Sequence, residues 1–550
     1  MEKNNMKILL HYFAKFRKSI ILGVVGIFVL SLFLLPTPFI TRYIIDDLIP
    51  NKNTTMLISL LLILLLFIIL QKVISYLTSY IFIKINSKII IDLRSDLLKK
   101  ILMMKVREKE QFTTGYLISR IQDDTKALQS LFVNSFAGIL REILKFIFGF
   151  IALLYLDVKL ALITFSLLPV YIMLTYHYTV KIKQKSSDTY EKTALMTSQL
   201  EESLSLSDVF KIFGKEILGV EKYHTRLIDN YTSYMELSRN VILNGVLPVF
   251  ILDLIPIIII GIGGLRIIEG TFTLGSLVAF TNFISFIFGP ANRIIGTNIQ
   301  IQQGLVALDR VVKFWNIQAE ESGTKTLQKI RNIEFDNVSF RYPQSPDKIV
   351  IQDLNLEIMD CNCIGLKGIS GKGKSTVAKL MLRLYSPQSG LIKINGLDIM
   401  EYDVNNIRNK IGYVAQEPLL MNDSILNNVL LGLDKDKEAE LSFDDKKLMA
   451  MKALDLSSAG FVYELPDGIF YQVKNYGDSL SVGQKQRIAI ARVLINQPDV
   501  IILDEATANL DSESEAKIFE TFNRLAKDII TIIISHDMKI LSNCDKIIEL

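Results

Sequence analysis

The sequence predicts a two-part fold: an all-α membrane domain of six spans, followed by a soluble α/β domain built around a phosphate-binding loop. Three observations carry this. Hydrophobic residues make up 50% of the chain and mean hydropathy is +0.33, high for a soluble protein. The long apolar runs all precede Trp315. After Trp315 the pattern changes to short strand-like runs and the spacing Gly-x-x-x-x-Gly-Lys-Ser. At 550 residues the chain has room for two or three cores.

The six apolar runs are Ser19–Ile40, Met56–Tyr80, Val133–Tyr155, Leu160–Thr179, Val241–Gly264 and Gly275–Ile295. About 20 apolar residues cover about 30 Å of helix, enough to cross a bilayer. The first run follows Lys3, Lys7, Lys15, Arg17 and Lys18, as in a signal peptide, but it is too long and lacks a small-residue cleavage site. It reads as a retained span. The connections Arg42–Thr55, Asp157–Lys159 and Arg266–Thr273 are short and hold few cations, whereas Lys84–Phe132 and Lys181–Arg239 are long and basic. The positive-inside rule places the long connections and both termini in the cytoplasm. Apolar residues keep helical spacing through Ile89–Leu102, so the spans are expected to continue as a cytoplasmic stalk.

The predicted domains are residues 1–317 in the membrane, a polar linker over 318–330, and a nucleotide-binding domain over 331–550. Strand-like runs at Ile333–Phe340 and Ile349–Glu357 open the last of these. A net charge of +4 argues against a nucleic-acid surface, which would concentrate basic residues. Cys361, Cys363 and Cys544 make no disulfide framework and fit a reducing compartment. The Cys361-Asn362-Cys363 spacing is too short for a zinc pair, and free thiols are expected.

The chemistry begins at Gly368-Ile369-Ser370-Gly371-Lys372-Gly373-Lys374-Ser375-Thr376. Glycines let the backbone wrap phosphates, Lys374 reaches the β- and γ-phosphates, and the Ser375 hydroxyl ligates Mg²⁺. Cys363–Lys367 is a plausible strand before the loop, and Val377, Leu380, Met381 and Leu384 give the next segment a helix face. The run Asp499–Glu505 reads as a buried parallel strand ending in two acids. At the carboxyl end of such a strand, Asp504 is expected to hold Mg²⁺ and Glu505 to polarise an attacking water.

With these motifs in place, nearly the whole chain resembles an ATP-binding cassette transporter, a half-transporter of the type I exporter (type IV) fold whose second domain is a P-loop NTPase. The resemblance makes Tyr342, in Phe340-Arg341-Tyr342-Pro343, the adenine-stacking aromatic. It makes Gln416 the glutamine that senses Mg²⁺ and touches the membrane domain. It makes Ser481, Gly483 and Gln484, in Leu480-Ser481-Val482-Gly483-Gln484, the signature that caps the γ-phosphate of a second subunit. Asp511 becomes the loop acid linking two sites, and His536 the switch histidine on the γ-phosphate. Because the phosphate loop and the signature of one copy cannot close on each other, the resemblance implies a homodimer with two ATP and Mg²⁺ sites.

Ile45-Asp46, Thr114–Arg120 and Gly275–Phe280 look like exporter motifs, and coupling helices are implied near Glu108–Thr114 and Leu204–Gly214, docking beside Gln416. Val482 departs from the family, which has a glycine there. Val473–Gly477 lacks the acidic residue often found before the signature. The chain ends at Leu550, where the family continues with another strand and helix. Only His11 precedes Ser19, so no upstream Cys–His pair of a leader-cleaving protease is present in these residues.

The implied activity is ATP-driven export of a hydrophobic or amphipathic molecule (peptide, lipid or drug) from the cytoplasm across the inner membrane by alternating access. The alternative is an ATP-gated channel or regulatory membrane ATPase. For the cargo, Asp253 in the fifth span and Lys72 in the second are candidate cavity residues, since a mid-bilayer charge is costly unless it faces a cavity or a partner. Phe280, Phe283, Phe286 and Phe288 are candidates for facing lipid or packing, with the lining of a hydrophobic cavity as the alternative. Abundant isoleucine, lysine and asparagine suggest an AT-rich bacterial genome.

Overall fold

The computed structural model describes residues 12–129, 136–315, 317, 319–359, 363–368, 372–506, 512–525, 529–542 and 544–550. The chain forms two compact units: Met1–Leu102 with Thr114–Ile317, and Met103–Thr113 with Gln318–Leu550.

The first unit is built of long helices: α1 (Arg17–Phe33), α2 (Thr54–Leu102), α3 (Phe136–Leu156), α4 (Val158–Ser205), α5 (Glu216–Ile268) and α6 (Leu274–Trp315). At 49, 48 and 53 residues, α2, α4 and α5 each reach more than 70 Å at about 1.5 Å per residue, over twice a bilayer core. The expected stalk is thus the unbroken continuation of the spans. The first run is not one straight helix. It breaks after Phe33 and restarts at Pro36, whose missing N–H and fixed φ suit a first helical turn.

Among the described residues, five helical segments are apolar and long enough to cross a membrane. The third sequence run differs: α3 is 21 residues long and apolar on average, but it carries three charges, Arg141, Glu142 and Lys145.

The turn from α3 to α4 is a single residue, Asp157. Its carboxylate caps α4 by accepting from Leu160 N at 2.9 Å, and it pairs with Arg266 at 2.6 Å. The core of this unit gathers Leu160, Tyr171, Ile255 and Ile259 around the α6 aromatics. Phe280, Phe283, Phe286 and Phe288 are all buried there, so they pack the bundle rather than line a cavity.

The second unit contains two sheets. Strands β1 (Asn332–Phe340), β2 (Ile351–Met359), β4 (Ser389–Ile394) and β5 (Leu397–Asp398) form an antiparallel sheet in the order β2-β1-β4-β5. Strands β3 (Cys363–Lys367), β6 (Ile411–Val414), β7 (Val500–Asp504), β8 (Ile530–Ile534) and β9 (Lys546–Glu549) form a parallel sheet in the order β6-β7-β8-β3-β9. Its strands β3, β7 and β8 read as near-continuous apolar runs because both faces are covered. Ile364, Leu366, Ile502 and Ile532 enter one core, and Ile501, Leu503 and Ile533 enter the other. Helix α7 (Lys374–Met381) follows β3. Helix α8 (Val482–Leu494) shares a third core, with Ile488 against Leu426, Val429 and Leu454.

Residues 319–330, expected as linker, instead pack on this unit. Glu320 forms a two-pronged pair with Arg408 at 2.6 and 2.8 Å, while Leu327 and Ile330 are buried in its core. Apolar side chains at 327 and 330 overrode the polar composition around them. Cys361 lies outside the described residues; Cys363 and Cys544 are free thiols with sulfurs 3.2 Å apart.

Candidate functional site

The parallel order brings the carboxyl ends of β7, β8 and β3 side by side, and each delivers one part of the site. From β3 comes the phosphate loop. Gly373 takes φ +94°, a left-handed conformation that opens α7, and a Cβ there would meet the Val350 carbonyl oxygen at 2.9 Å. Lys374 is buried, with its ammonium donating to the Gly368 carbonyl at 2.6 Å. A buried cation at a helix N-terminus is an anion cradle, which fits nucleotide phosphates. Lys372 and Ser375 lie on the same described stretch, while Ser370 and Gly371 lie outside the described residues.

From the end of β7 come Asp504 and Glu505. Asp504 is buried and accepts from the Tyr413 hydroxyl at 2.9 Å. Burial, then the adjacent Asp504 charge, pushes the Tyr413 phenol well above its usual range, so it stays a donor. Glu505 has φ +49°, a strained conformation for a glutamate, pinned by its N–H on the Ile534 carbonyl of β8 at 2.9 Å. Its two oxygens are taken by two other residues singled out in the sequence. Gln416 Nε2 donates to one at 2.6 Å, and His536 Nδ1 lies 3.4 Å from the other. Three residues spread over 120 positions of chain thus meet at one carboxylate. Ser375, Gln416 and Asp504 supply oxygen donors of the kind Mg²⁺ accepts alongside phosphate oxygens.

Tyr342, the expected adenine platform, bonds through its hydroxyl to the Thr376 hydroxyl at 2.9 Å. It packs edge-on against Phe340 and Tyr385, and Lys379 stands 5.5 Å from its ring centre. Tyr385, Tyr413 and Lys379 escaped the sequence reading. Tyr413 lies three residues before Gln416, and its place on β6 beside β7 was the available signal.

The signature stands apart. Ser481 caps α8 in a reciprocal box with Gln484, at 3.2 and 2.9 Å, and no hydrogen bond among the described residues joins it to the phosphate loop. Gly483 is buried, whereas Val482 is 47% exposed on the first turn. Asp511 lies outside the described residues.

The first coupling segment forms the short helix Val106–Lys109. Around it, Lys105 pairs with Glu321 at 2.7 Å, and Glu110 accepts from Gln344 at 2.6 Å and from Tyr385. The second segment forms the helix Ser207–Phe213 and exposes Ile212 and Phe213.

The two candidate cavity residues of the membrane part do not come together. Lys72 lines a cavity of about 600 Å³ with Arg141, Glu142, Lys145 and Arg293, whereas Asp253 is not among its lining residues and forms no ion pair with Lys72.

An ATP site of the P-loop kind, carried by a chain of long apolar helices, defines a class: a multi-pass membrane protein whose work is driven by ATP hydrolysis. Comparison with known proteins narrows it. Residues 20–291 match the ABC transporter transmembrane region and residues 351–508 match the ABC transporter nucleotide domain, so the chain belongs to the ABC transporter family, with both parts fused. The Bacillus subtilis (strain 168) protein YgaD, named for multidrug export, is 29% identical over 99% of this chain and 94% of its own length. An ATP-dependent lipid A-core flippase of Desulfotalea psychrophila is also 29% identical, with the same coverage. The fold matches a bacterial Atm1-family ABC exporter with ATP bound, at TM-score 0.81 and 22% identity, over 98% of this chain and 94% of that one. The protein is an ABC exporter whose ATPase is coupled to transport.

Proposed function

We propose that two copies of this chain form a homodimeric exporter in the inner membrane, with the nucleotide domain in the cytoplasm, moving a hydrophobic or amphipathic molecule outward by alternating access. The observation carrying this is the convergence of Gln416 and His536 on Glu505, which equips the site for turnover rather than for binding alone. Ser375, Gln416 and Asp504 hold Mg²⁺, which offsets charge on the phosphates when bound with ATP. Lys374 holds the phosphates and Glu505 takes the proton of the attacking water. Ser481, Gly483 and Gln484 cap the γ-phosphate bound by the other copy. That assignment is supported by the exposed position of Ser481 at the start of the helix, with its side-chain bonds confined to its own first turn. The exposed Ser207–Phe213 helix serves as a second docking element for a nucleotide domain. The names of the two relatives, multidrug export and lipid flipping, support an amphipathic cargo.

The test is vanadate-sensitive ATP hydrolysis by the full chain in liposomes, with stimulation by candidate lipids, drugs or peptides. ATP-dependent conductance without hydrolysis would replace this reading with a gated channel.

A further inference from the structure

Helix α3 sets the problem. Three charges in 21 membrane residues are costly, and such groups face a cavity, a partner or a ligand. Here they face a cavity. It is bounded by α1, α2, α3 and α6, has a volume of about 600 Å³, and holds Lys72, Arg141, Lys145 and Arg293 against a single carboxylate, Glu142. That volume suits a small-molecule ligand.

Glu142 is buried and already engaged: Arg293 reaches it at 3.2 Å and Arg141 at 3.5 Å. Lys72 and Lys145 form no ion pair among the described residues, and no other acid lines the cavity. Lys145 lies 4.9 Å from the centre of the Phe286 ring, and Gly289 leaves the space beside its ammonium open. Four cations to one anion is an unbalanced set in a setting where imbalance is expensive.

The depth of the set is also informative. Lys145 stands about 17 Å along α3 from Leu156, Lys72 about 27 Å along α2 from Thr54, and Arg293 about 29 Å along α6 from Leu274. Those three ends carry the short connections that the charge pattern puts outside the cell, so the cations lie past the midplane on the cytoplasmic side. Apolar surface adjoins them. Leu30 and Leu34 share the cavity, and a neighbouring hollow of about 400 Å³ is lined by Ile27, Phe82 and Ile83. The two hollows share Leu30, Ser75 and Arg141.

We infer that this cavity is the cargo site and that its cargo is an anionic amphiphile: a compact phosphate or carboxylate head held by Lys72, Lys145 and the two arginines, with an apolar body against Leu30, Leu34 and the adjoining hollow. This rests on the exporter reading and deepens it by naming the charge of the cargo. Glu142 holds Arg141 and Arg293 in place and is a positioning residue.

The test uses the full chain in phosphatidylcholine nanodiscs without nucleotide. Binding of a fluorescent dodecyl phosphate is compared with that of the same chain bearing a trimethylammonium head. The phosphate is expected to bind at least about tenfold more tightly, the value of one charge-assisted hydrogen bond. The double variant Lys72→Gln/Lys145→Gln is expected to lose that preference, and Lys145→Arg to keep it. Equal binding of the two heads by the parent protein, which needs no variant to fold, overturns the inference. Inorganic phosphate that displaces the probe as well as unlabelled dodecyl phosphate does also overturns it, since the site would then read a free anion. ATP hydrolysis by the same preparation separates the two levels: hydrolysis without head-group preference sinks only this inference, and absence of hydrolysis sinks the exporter reading beneath it.

Discussion

Asp46 and Gly275, 229 residues apart, are joined by a 2.7 Å hydrogen bond from the glycine N–H to the aspartate carboxylate. The other carboxylate oxygen accepts from Thr273 at 2.6 Å. A Cβ on Gly275 would stand 2.5 Å from the Arg42 carbonyl oxygen and 2.7 Å from the Asp46 carboxyl. The two motifs are one clasp at the start of α6. Gly275→Ala should therefore destabilise the protein by about 1–3 kcal/mol, and Asp46→Asn by less than Asp46→Ala because the amide oxygen can still accept. Thermal unfolding in detergent checks this, and an unchanged Gly275→Ala midpoint would contradict the clasp.

Glu505 is the residue on which turnover depends. Glu505→Gln keeps its size but removes the base, and ATP hydrolysis should fall about 10²–10⁴-fold with nucleotide binding retained. Loss of less than tenfold in single-turnover assays would remove Glu505 from that role.

At the signature, Ser481→Ala and Val482→Gly should separate. The first deletes the hydroxyl that caps α8 and should cost about 1 kcal/mol together with turnover. The second trims a half-exposed side chain and should leave turnover within about threefold. Parallel ATPase and melting curves distinguish them. Equal losses would show that Val482 contributes to capping.

Glu110 ties the 103–113 segment to the nucleotide unit through Tyr385 and Gln344. Glu110→Ala should speed hydrogen exchange across that segment about tenfold while exchange in β7 and β8 stays as in the parent. No change in the segment would mean that its other ties, the Lys105–Glu321 pair among them, hold it without Glu110.

Asp403 caps the helix Val404–Lys410, accepting from the Asn406 N–H and the Ser322 hydroxyl, each at 2.8 Å. Those bonds, the Asn406 N–H first, hold its carboxyl below the ordinary 3.8. A carboxylate with a lowered folded-state pKa stabilises fully above its ordinary value, and that contribution is lost as pH falls toward the folded value. The melting temperature of Asp403→Asn should hence fall less steeply than the parent's below about pH 4. Identical slopes would rule out the cap as a contributor.

Much of this protein was readable in order of residues. The apolar runs specify helices because a bilayer demands internally satisfied backbone, and the Gly373-Lys374-Ser375 loop specifies a phosphate cradle because glycine alone tolerates φ +94° so close to Val350. The paired acids at the end of β7 follow from an apolar strand that stops at charge. Tertiary structure decided the rest. Strand order β6-β7-β8-β3-β9 is set by which faces two cores can cover, and it alone puts Gln416 and His536 on Glu505. The fate of 319–330 turned on the burial of Leu327 and Ile330, which composition hid. Lys72 gained neighbours in Arg141, Lys145 and Arg293 and not in Asp253, because one-dimensional spacing along separate helices says nothing of which faces turn to a shared cavity.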